Sequence, residues 1–368
     1  MEVLKHTLAD LATWEHLFRS SQQAVGKNDT DRIARIRQKA FEDFLSAGFP
    51  NEMHEKWRNT DIRKTLDRTF DLNLSNPGNP VNVEDFFSCE VAGFDTWLIT
   101  LYNGWYTYKN APLRILPNGT IIGSLSRALQ EAPELVEEHF EQYTGVEPNA
   151  FTLLNTAFAY DGFFIYVPDG VHLDKPIQMV NVVDHEHPMF MQTRHLILAG
   201  HGSRVQLVHC DDSHNHQTGF TNSVTEMVVG RDAHVDYYKM QNINDHSTLI
   251  HNQYIRQDKG SVCNTFSISL HGGLIRNETY NLLAAPHAEA HHYGLYLMDK
   301  NQQADNLVFV DHAAPDCTST ELFKGILDDY AHATFNGHIL VRKDSQRTQA
   351  YQSNRNILLT DKALIHTQ

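Results

Sequence analysis

The chain has 368 residues, 41% of them hydrophobic, with 19 Phe, 14 Tyr and 4 Trp, which excludes a disordered chain or a mini-protein and allows two or so domains with buried cores. Thirty Lys and Arg against 45 Asp and Glu leave a formal charge of -15, which argues against a partner gripped through its phosphate backbone, so no nucleic acid is expected. Cys89, Cys210, Cys263 and Cys317 lie far apart, as suits a reducing cytoplasm, and no run of about 18 apolar residues marks a membrane span or signal peptide.

Residues 1–80 balance 12 basic against 12 acidic side chains, so the rest of the chain carries the acidity. Leu4, Leu8, Leu11, Trp14 and Phe18 recur at three- and four-residue steps, which predicts a helix with one apolar face. A second helix is expected from a cap at Asp29 or Thr30, through Ile33, Ile36, Ala40, Phe41 and Phe44, to a stop at Gly48-Phe49-Pro50. Residues 1–75 therefore read as a helical N-terminal region, closed by the Pro- and Asn-rich stretch 71–80. A mixed segment follows over 76–150, with two short helices between 125 and 145 interrupted at Pro133.

From Phe151 to the last residue, short apolar or alternating runs such as FFIYV, IQMVNVV, RVQLVH and HVDYYKM are separated by turn residues. This predicts a β-rich core over 151–368. Small residues precede the strands in a loose echo: Gly202, Ala233, Gly260, Ala288, Ala331 and Ala363, at steps of 31, 27, 28, 43 and 32. Such units suit a coil of parallel strands in which each circuit covers its neighbours, with a β-sandwich as the alternative. The chain stops at ALIHTQ without a cap for the last strand, so the sequence is expected to continue beyond Gln368.

Sixteen of the 23 His lie between His172 and His312, which raises the question of metal binding. His185-Glu-His187 and His214-Asn-His216 have the i, i+2 spacing that shares a strand face, but Gln217-Thr218-Gly219-Phe220 follows His216 where a cupin-like site would want a carboxylate, and His185-Glu-His187-Pro188 reads as a turn, so both are better taken as turn or strand-face residues. His291 and His292 point to opposite faces of a strand, so at most one joins His287. Asp311, His312 and Cys317 are the strongest metal-ligand candidates, a carboxylate, an imidazole and a thiol within seven residues, against a bland alternative of a buried Cys beside a loop His. No nucleophile elbow, phosphate loop, dinucleotide fingerprint or grouped iron–sulfur cysteines are present.

Several blocks, in order, resemble the SufB/SufD family of iron–sulfur cluster assembly scaffolds, most of all its SufD branch. They are Gly48-Phe49-Pro50 with Glu55 to Ile62, Tyr102-Asn103-Gly104, Ile121 to Leu125, Leu154 to Phe158, Asp161-Gly162, Val167-Pro168 and Lys175-Pro176-Ile177. Tyr237 to Gln241, Gly272 to Asn277, Tyr293 to Tyr296, Asp311-His312 and Lys324 to Leu327 continue the order. The resemblance covers about residues 45–368 and implies a mainly β fold, a right-handed parallel β-helix core behind a helical N-terminal region. It also implies a non-catalytic subunit that works with a SufB-like subunit and a SufC-like ATPase, or as a homodimer in isolation. Iron or an iron–sulfur cluster would be held transiently and shared with a partner, with no permanent cofactor. The family's Cys-x-His-Gly motif and helical C-terminal part have no counterpart in the sequence, so that His is carried onto no numbered position. The rival reading is a parallel β-helix or His-ligated metal enzyme acting alone, and a third is a structural adaptor without metal contact.

Overall fold

The computed structural model describes residues 7–72, 74, 95–107, 112–143 and 149–368. Leu4, Cys89 and the expected boundary near residue 75 fall outside them.

Two helices open the chain. Asp10 caps α1 (Leu11–Val25) and Thr30 caps α2 (Asp31–Ala47) by accepting from the Ile33 amide. Asp29, the other expected cap, instead binds the Arg37 guanidinium at 2.7 Å. The helix α2 ends at Gly48, whose φ of 65° lies in the region that favours glycine. A short α3 (Arg63–Leu66) follows a single turn at Glu55–Trp57. The mixed segment contributes β1 (Trp97–Tyr102), β2 (Trp105–Tyr106), β3 (Leu113–Ile115) and β4 (Ile121–Ser124). Then come α4 (Leu125–Glu131) and α5 (Pro133–His139), with Pro133 at the first turn where its missing N–H costs nothing.

A correction concerns Ala150–Phe158, expected as the start of the strand region and folded instead as a helix, α6. All nine of its residues are buried, and Asn149 caps it by accepting from the Thr152 amide at 2.9 Å. A helix buried on every side has no apolar stripe, so periodicity gives no sign of it.

The strands then alternate between two sheets, as expected of a coil. One sheet takes β6 (Ile177–Val183), β8 (Arg204–Ser213), β10 (His234–Asn242), β12 (Val262–His271), β14 (Glu289–Met298), β16 (Thr318–Leu327) and β18 (Gln349–Leu358). The other takes β5 (Phe163–Val167), β7 (Met189–Ala199), β9 (Gly219–Val229), β11 (Thr248–Gln257), β13 (Leu274–Leu283), β15 (Gln303–His312), β17 (His332–Val341) and β19 (Leu364–Thr367). Among the described residues, with β1 and β2 the first sheet has nine strands, and with β3 and β4 the second has ten. Pairing along each solenoid stack is parallel, for example Tyr237 with Thr265 and His251 with Asn277. The result is a mainly β parallel solenoid of about seven turns, not a sandwich.

The register explains the irregular echo. Ser203, Ala233, Ser261, Ala288 and Cys317 stand just ahead of successive strands of the nine-stranded sheet, each fully or almost fully buried. Ala331 and Ala363 hold that place in the ten-stranded sheet. The 43-residue step from Ala288 to Ala331 is thus one circuit to Cys317 and then a half-circuit across. Small residues fit here where the coil turns tightly between sheets, although ahead of β15 the same place holds Gln302, also buried.

The helices α1, α2 and α6 cover the ten-stranded sheet from outside. Trp14, Phe44, Phe151 and Phe158 pack there against Phe190 and Phe220. Two guanidiniums pin the layer. Arg194 reaches Glu226 at 2.6 Å, Glu141 at 2.7 Å and the Thr156 hydroxyl at 2.8 Å. Arg276 donates to Glu278 at 2.7 Å, the Thr60 hydroxyl at 3.0 Å and the Lys56 carbonyl at 2.8 Å, and stacks 3.9 Å from the Trp57 ring.

Candidate functional site

The solenoid sends Asp311, His312 and Cys317 three different ways. Asp311 and His312 are neighbours on β15, so their side chains leave opposite faces. Asp311 takes a two-pronged contact from Arg342, at 3.0 and 2.7 Å. His312 points into the lumen, where its Nε2 meets the Ser319 hydroxyl at 2.9 Å. Its Nδ1 has no hydrogen-bond partner among the described residues, and burial lowers the ring's pKa despite Asp311, which favours the neutral form. Cys317 is fully buried in the small-residue column, where its Sγ lies 3.3 Å from the Ala285 carbonyl. Burial pushes its thiol up, away from the thiolate a metal requires. Among the described residues no three His, Cys, Asp or Glu side chains are grouped to hold a metal ion.

The other histidine motifs separate as their spacing suggests. His187, His214 and His216 are exposed in turns and His185 is buried. His287 sits in a turn with φ of 64°. His291 lies on the outer side of β14, and His292 faces inward with Nδ1 2.7 Å from the Thr265 hydroxyl.

A denser titratable cluster matches no local motif. Lys239 on β10 lies 2.5 Å from Asp211 and 3.1 Å from His209 Nε2, all inside the solenoid. His209 Nδ1 meets the Tyr237 hydroxyl at 2.8 Å, and His195 Nε2 meets Ser223 at 3.2 Å. His251 Nε2 meets Thr225 at 3.0 Å. Desolvation pushes His195 down to about 3 and His209 and His251 well below the usual range, so these rings are neutral at physiological pH. Burial also lowers Lys239, while Asp211 holds its charge in place. Alternation was the available signal: in RVQLVHCD and HVDYYKM, His209, Asp211, Tyr237 and Lys239 share parity with core residues Val205, Leu207 and Val235. Shut away from water, the cluster is a charge-paired hydrogen-bond network that fixes the register of stacked circuits, not a centre open to a substrate.

One lumen carboxyl has no such support. Glu321 on β16 is buried, neither of its oxygens has a hydrogen-bond partner among the described residues, and burial pushes it up to about 8. A polar cleft of about 410 Å³ also opens between the 55–59 turn and the uncovered end of the ten-stranded sheet, lined by Lys56, Arg276, Asp305 and His366.

Against this geometry the comparisons with known proteins are specific. The model of the SUF system FeS cluster assembly SufBD core domain matches residues 181–368, and that of the SufBD protein N-terminal region matches residues 10–179. An iron-sulfur cluster assembly SufBD family protein of Synechocystis sp. is 25% identical over 358 residues, covering 94% of this chain and 78% of that protein. A namesake in Staphylococcus saprophyticus is 27% identical over 238 residues, 64% of this chain and 51% of its own length. One in Staphylococcus aureus strain USA300 is 26% identical over 300 residues, 81% of this chain and 61% of that protein. The chain thus spans about half to four fifths of the length of these relatives. With the N-terminal model ending where the stacked circuits take over and the core model covering the rest, the chain belongs to the SufBD family of the SUF iron–sulfur cluster assembly system.

Proposed function

We propose that this chain is a SufD-like scaffold subunit of a cytosolic complex with a SufB-like subunit and a SufC-like ATPase, which assembles iron–sulfur clusters and passes them to target proteins. The observation that carries the reading is the consecutive match of both SufBD models along 10–179 and 181–368. The order of blocks from Gly48 to Leu327 favours the SufD branch. In this reading the chain turns over nothing itself, and ATP hydrolysis belongs to the SufC-like partner.

The cluster or its iron is cargo, held briefly and shared with the partner. Isolated ligands suit cargo that must leave, since a closed thiolate cage retains it. Of the three candidates, His312 keeps a ring nitrogen without a partner, so it is the residue this reading gives to the cargo. Asp311 is engaged by Arg342 and Cys317 by the coil corner.

The test is co-expression of the gene product with SufB-like and SufC-like subunits, followed by native mass spectrometry. A complex holding one SufB-like and at least one SufC-like chain is expected. Failure to capture either subunit overturns the reading. Within such a complex, changing His312→Ala lowers cluster yield, and unaltered yield removes it as a ligand.

A further inference from the structure

Three Asn-Gly pairs occur in the chain, Asn103-Gly104, Asn118-Gly119 and Asn336-Gly337. In such a pair the glycine amide nitrogen can attack the asparagine side-chain carbonyl, because no Cβ shields it. The fold treats the three differently. Asn103 is buried, and both ends of its amide are held by a neighbouring turn: Nδ2 donates to the Asp184 carbonyl at 2.7 Å and Oδ1 accepts from the Asp184 amide at 2.8 Å. Asn336 lies within β17, paired with Leu307 of β15. There the extended backbone points the side chain away from the following nitrogen, and the Gly337 N–H donates to the Gln368 carbonyl at 3.2 Å.

Asn118 sits exposed at the tip of the β3–β4 hairpin, between Pro117 and Gly119. The tip is a tight turn. The Gly119 N–H donates to the Leu116 carbonyl at 2.9 Å and the Leu116 N–H to the Thr120 carbonyl at 2.8 Å, while Gly119 takes a φ of 85° that favours glycine. The Asn118 side chain folds back along this turn, and its Oδ1 accepts from the Thr120 amide at 3.1 Å. That contact draws the carboxamide over the peptide link that must attack it. It also sets an N–H donor on the oxygen where negative charge gathers as the new bond forms.

We propose that Asn118 is a site of spontaneous deamidation. Hydroxide takes the proton from the Gly119 nitrogen, which attacks Asn118 Cγ. The Cγ–Nδ2 bond then breaks, and the leaving nitrogen takes a proton from water and departs as ammonia, so a cyclic succinimide remains. Water opens the ring at either carbonyl and gives aspartate or isoaspartate at position 118, with no change of oxidation state. The bond from the Gly119 N–H to Leu116 has to open first, so the folded tip reacts more slowly than the same sequence in a free peptide. Either product adds a negative charge to the hairpin. Isoaspartate also adds a carbon to the main chain between Leu116 and Thr120 and spoils their pairing. The strands β3 and β4 end the ten-stranded sheet, so the change acts on one end of the solenoid. The proposal does not depend on the cluster-assembly reading.

The test is incubation of the purified whole chain at mildly alkaline pH, followed by peptide mapping by mass spectrometry and labelling with isoaspartyl methyltransferase. Asn118 converts to the acid first, while Asn103 and Asn336 stay as amides. In urea all three convert at similar rates, because the fold no longer separates them. An Asn118 that stays intact as long as Asn103 overturns the proposal, as does conversion of Asn103 or Asn336 in the folded chain as fast as Asn118. Selectivity that persists unchanged in urea overturns the role given to the turn.

Discussion

The two sheets of the solenoid have outer faces of opposite character, and residue type is a poor guide to which is covered. The covered face of the ten-stranded sheet buries full charges: Arg194 and Arg276 are 1% and 2% exposed at the side chain. The open face of the nine-stranded sheet shows Leu295, Leu297 and Ile326 to solvent. The difference lies in what comes over the top. The covering layer brings acceptors from α6 (the Thr156 hydroxyl), from the end of α5 (Glu141) and from the 55–60 turn (the Thr60 hydroxyl and the Lys56 carbonyl), together with aromatic plates at Phe140 and Trp57, so each guanidinium is fully matched before water is removed.

The sharpest way to break the comparison is to remove one partner on the covered face. Arg194→Ala leaves Glu226 buried without its cation, and urea unfolding should show a loss of about 3–5 kcal/mol. Arg194→Met combined with Glu226→Gln should lose clearly less, because the fully buried carboxylate is gone and the one left, Glu141, is 18% exposed at the side chain. Equal losses for the single and double variants would show that packing, not charge, holds the layer down.

Next in size come the lumen groups between the two faces, which respond to pH in opposite senses. His195 and His292 are held down to about 3, and His209 and His251 well below the usual range. Below about pH 6.5 the unfolded chain binds protons that the folded one refuses. Stability should therefore fall with pH, by up to about 1.4 kcal/mol per pH unit per histidine, until the folded rings titrate. Glu321 is held up to about 8, so its cost is absent below about pH 4.5 and complete above about 8. Glu321→Gln should stabilise the protein by about 2–4 kcal/mol at pH 9 and change little at pH 4. A variant that gains equally at both values would show that ionisation is not the cost.

A smaller effect is expected at the coil corners. Cys317→Leu forces a large side chain into the small-residue column and should cost about 1–3 kcal/mol, whereas Cys317→Ala should be well tolerated. On the open face, Leu297→Ser should shift the unfolding midpoint by no more than about 0.5 kcal/mol equivalent. A large loss there would mean that the face is covered within the chain itself.

Much of the fold was legible in the sequence. Thr30, Gly48 and Pro133 mark helix ends by local chemistry, and the repeated strand and turn units announce a coil. The echo is blurred because Ala288 and Ala331 belong to different sheets, and Cys317, a thiol in place of a Gly or Ala, stands between them ahead of β16. The helix α6 was illegible because burial on every side erases the period that marks a surface helix. The family was legible from blocks spread between Gly48 and Leu327. The candidate site was legible only in part. Asp311 and His312 were expected together, but adjacent residues of one strand face apart, and Arg342 reaches Asp311 from 31 positions on. The Lys239 cluster depends on pairing between circuits, which no local motif encodes, although strand alternation places its members on the inner side.

The central claim is that this solenoid helps to build clusters as one subunit among several. The most direct measurement is reconstitution of SufB-like and SufC-like subunits with iron, a sulfur donor and ATP, with and without this chain, following cluster absorbance and transfer to an apo-ferredoxin. The account predicts that clusters form and transfer efficiently only when the chain is in the complex. Equal cluster formation without it would contradict the account.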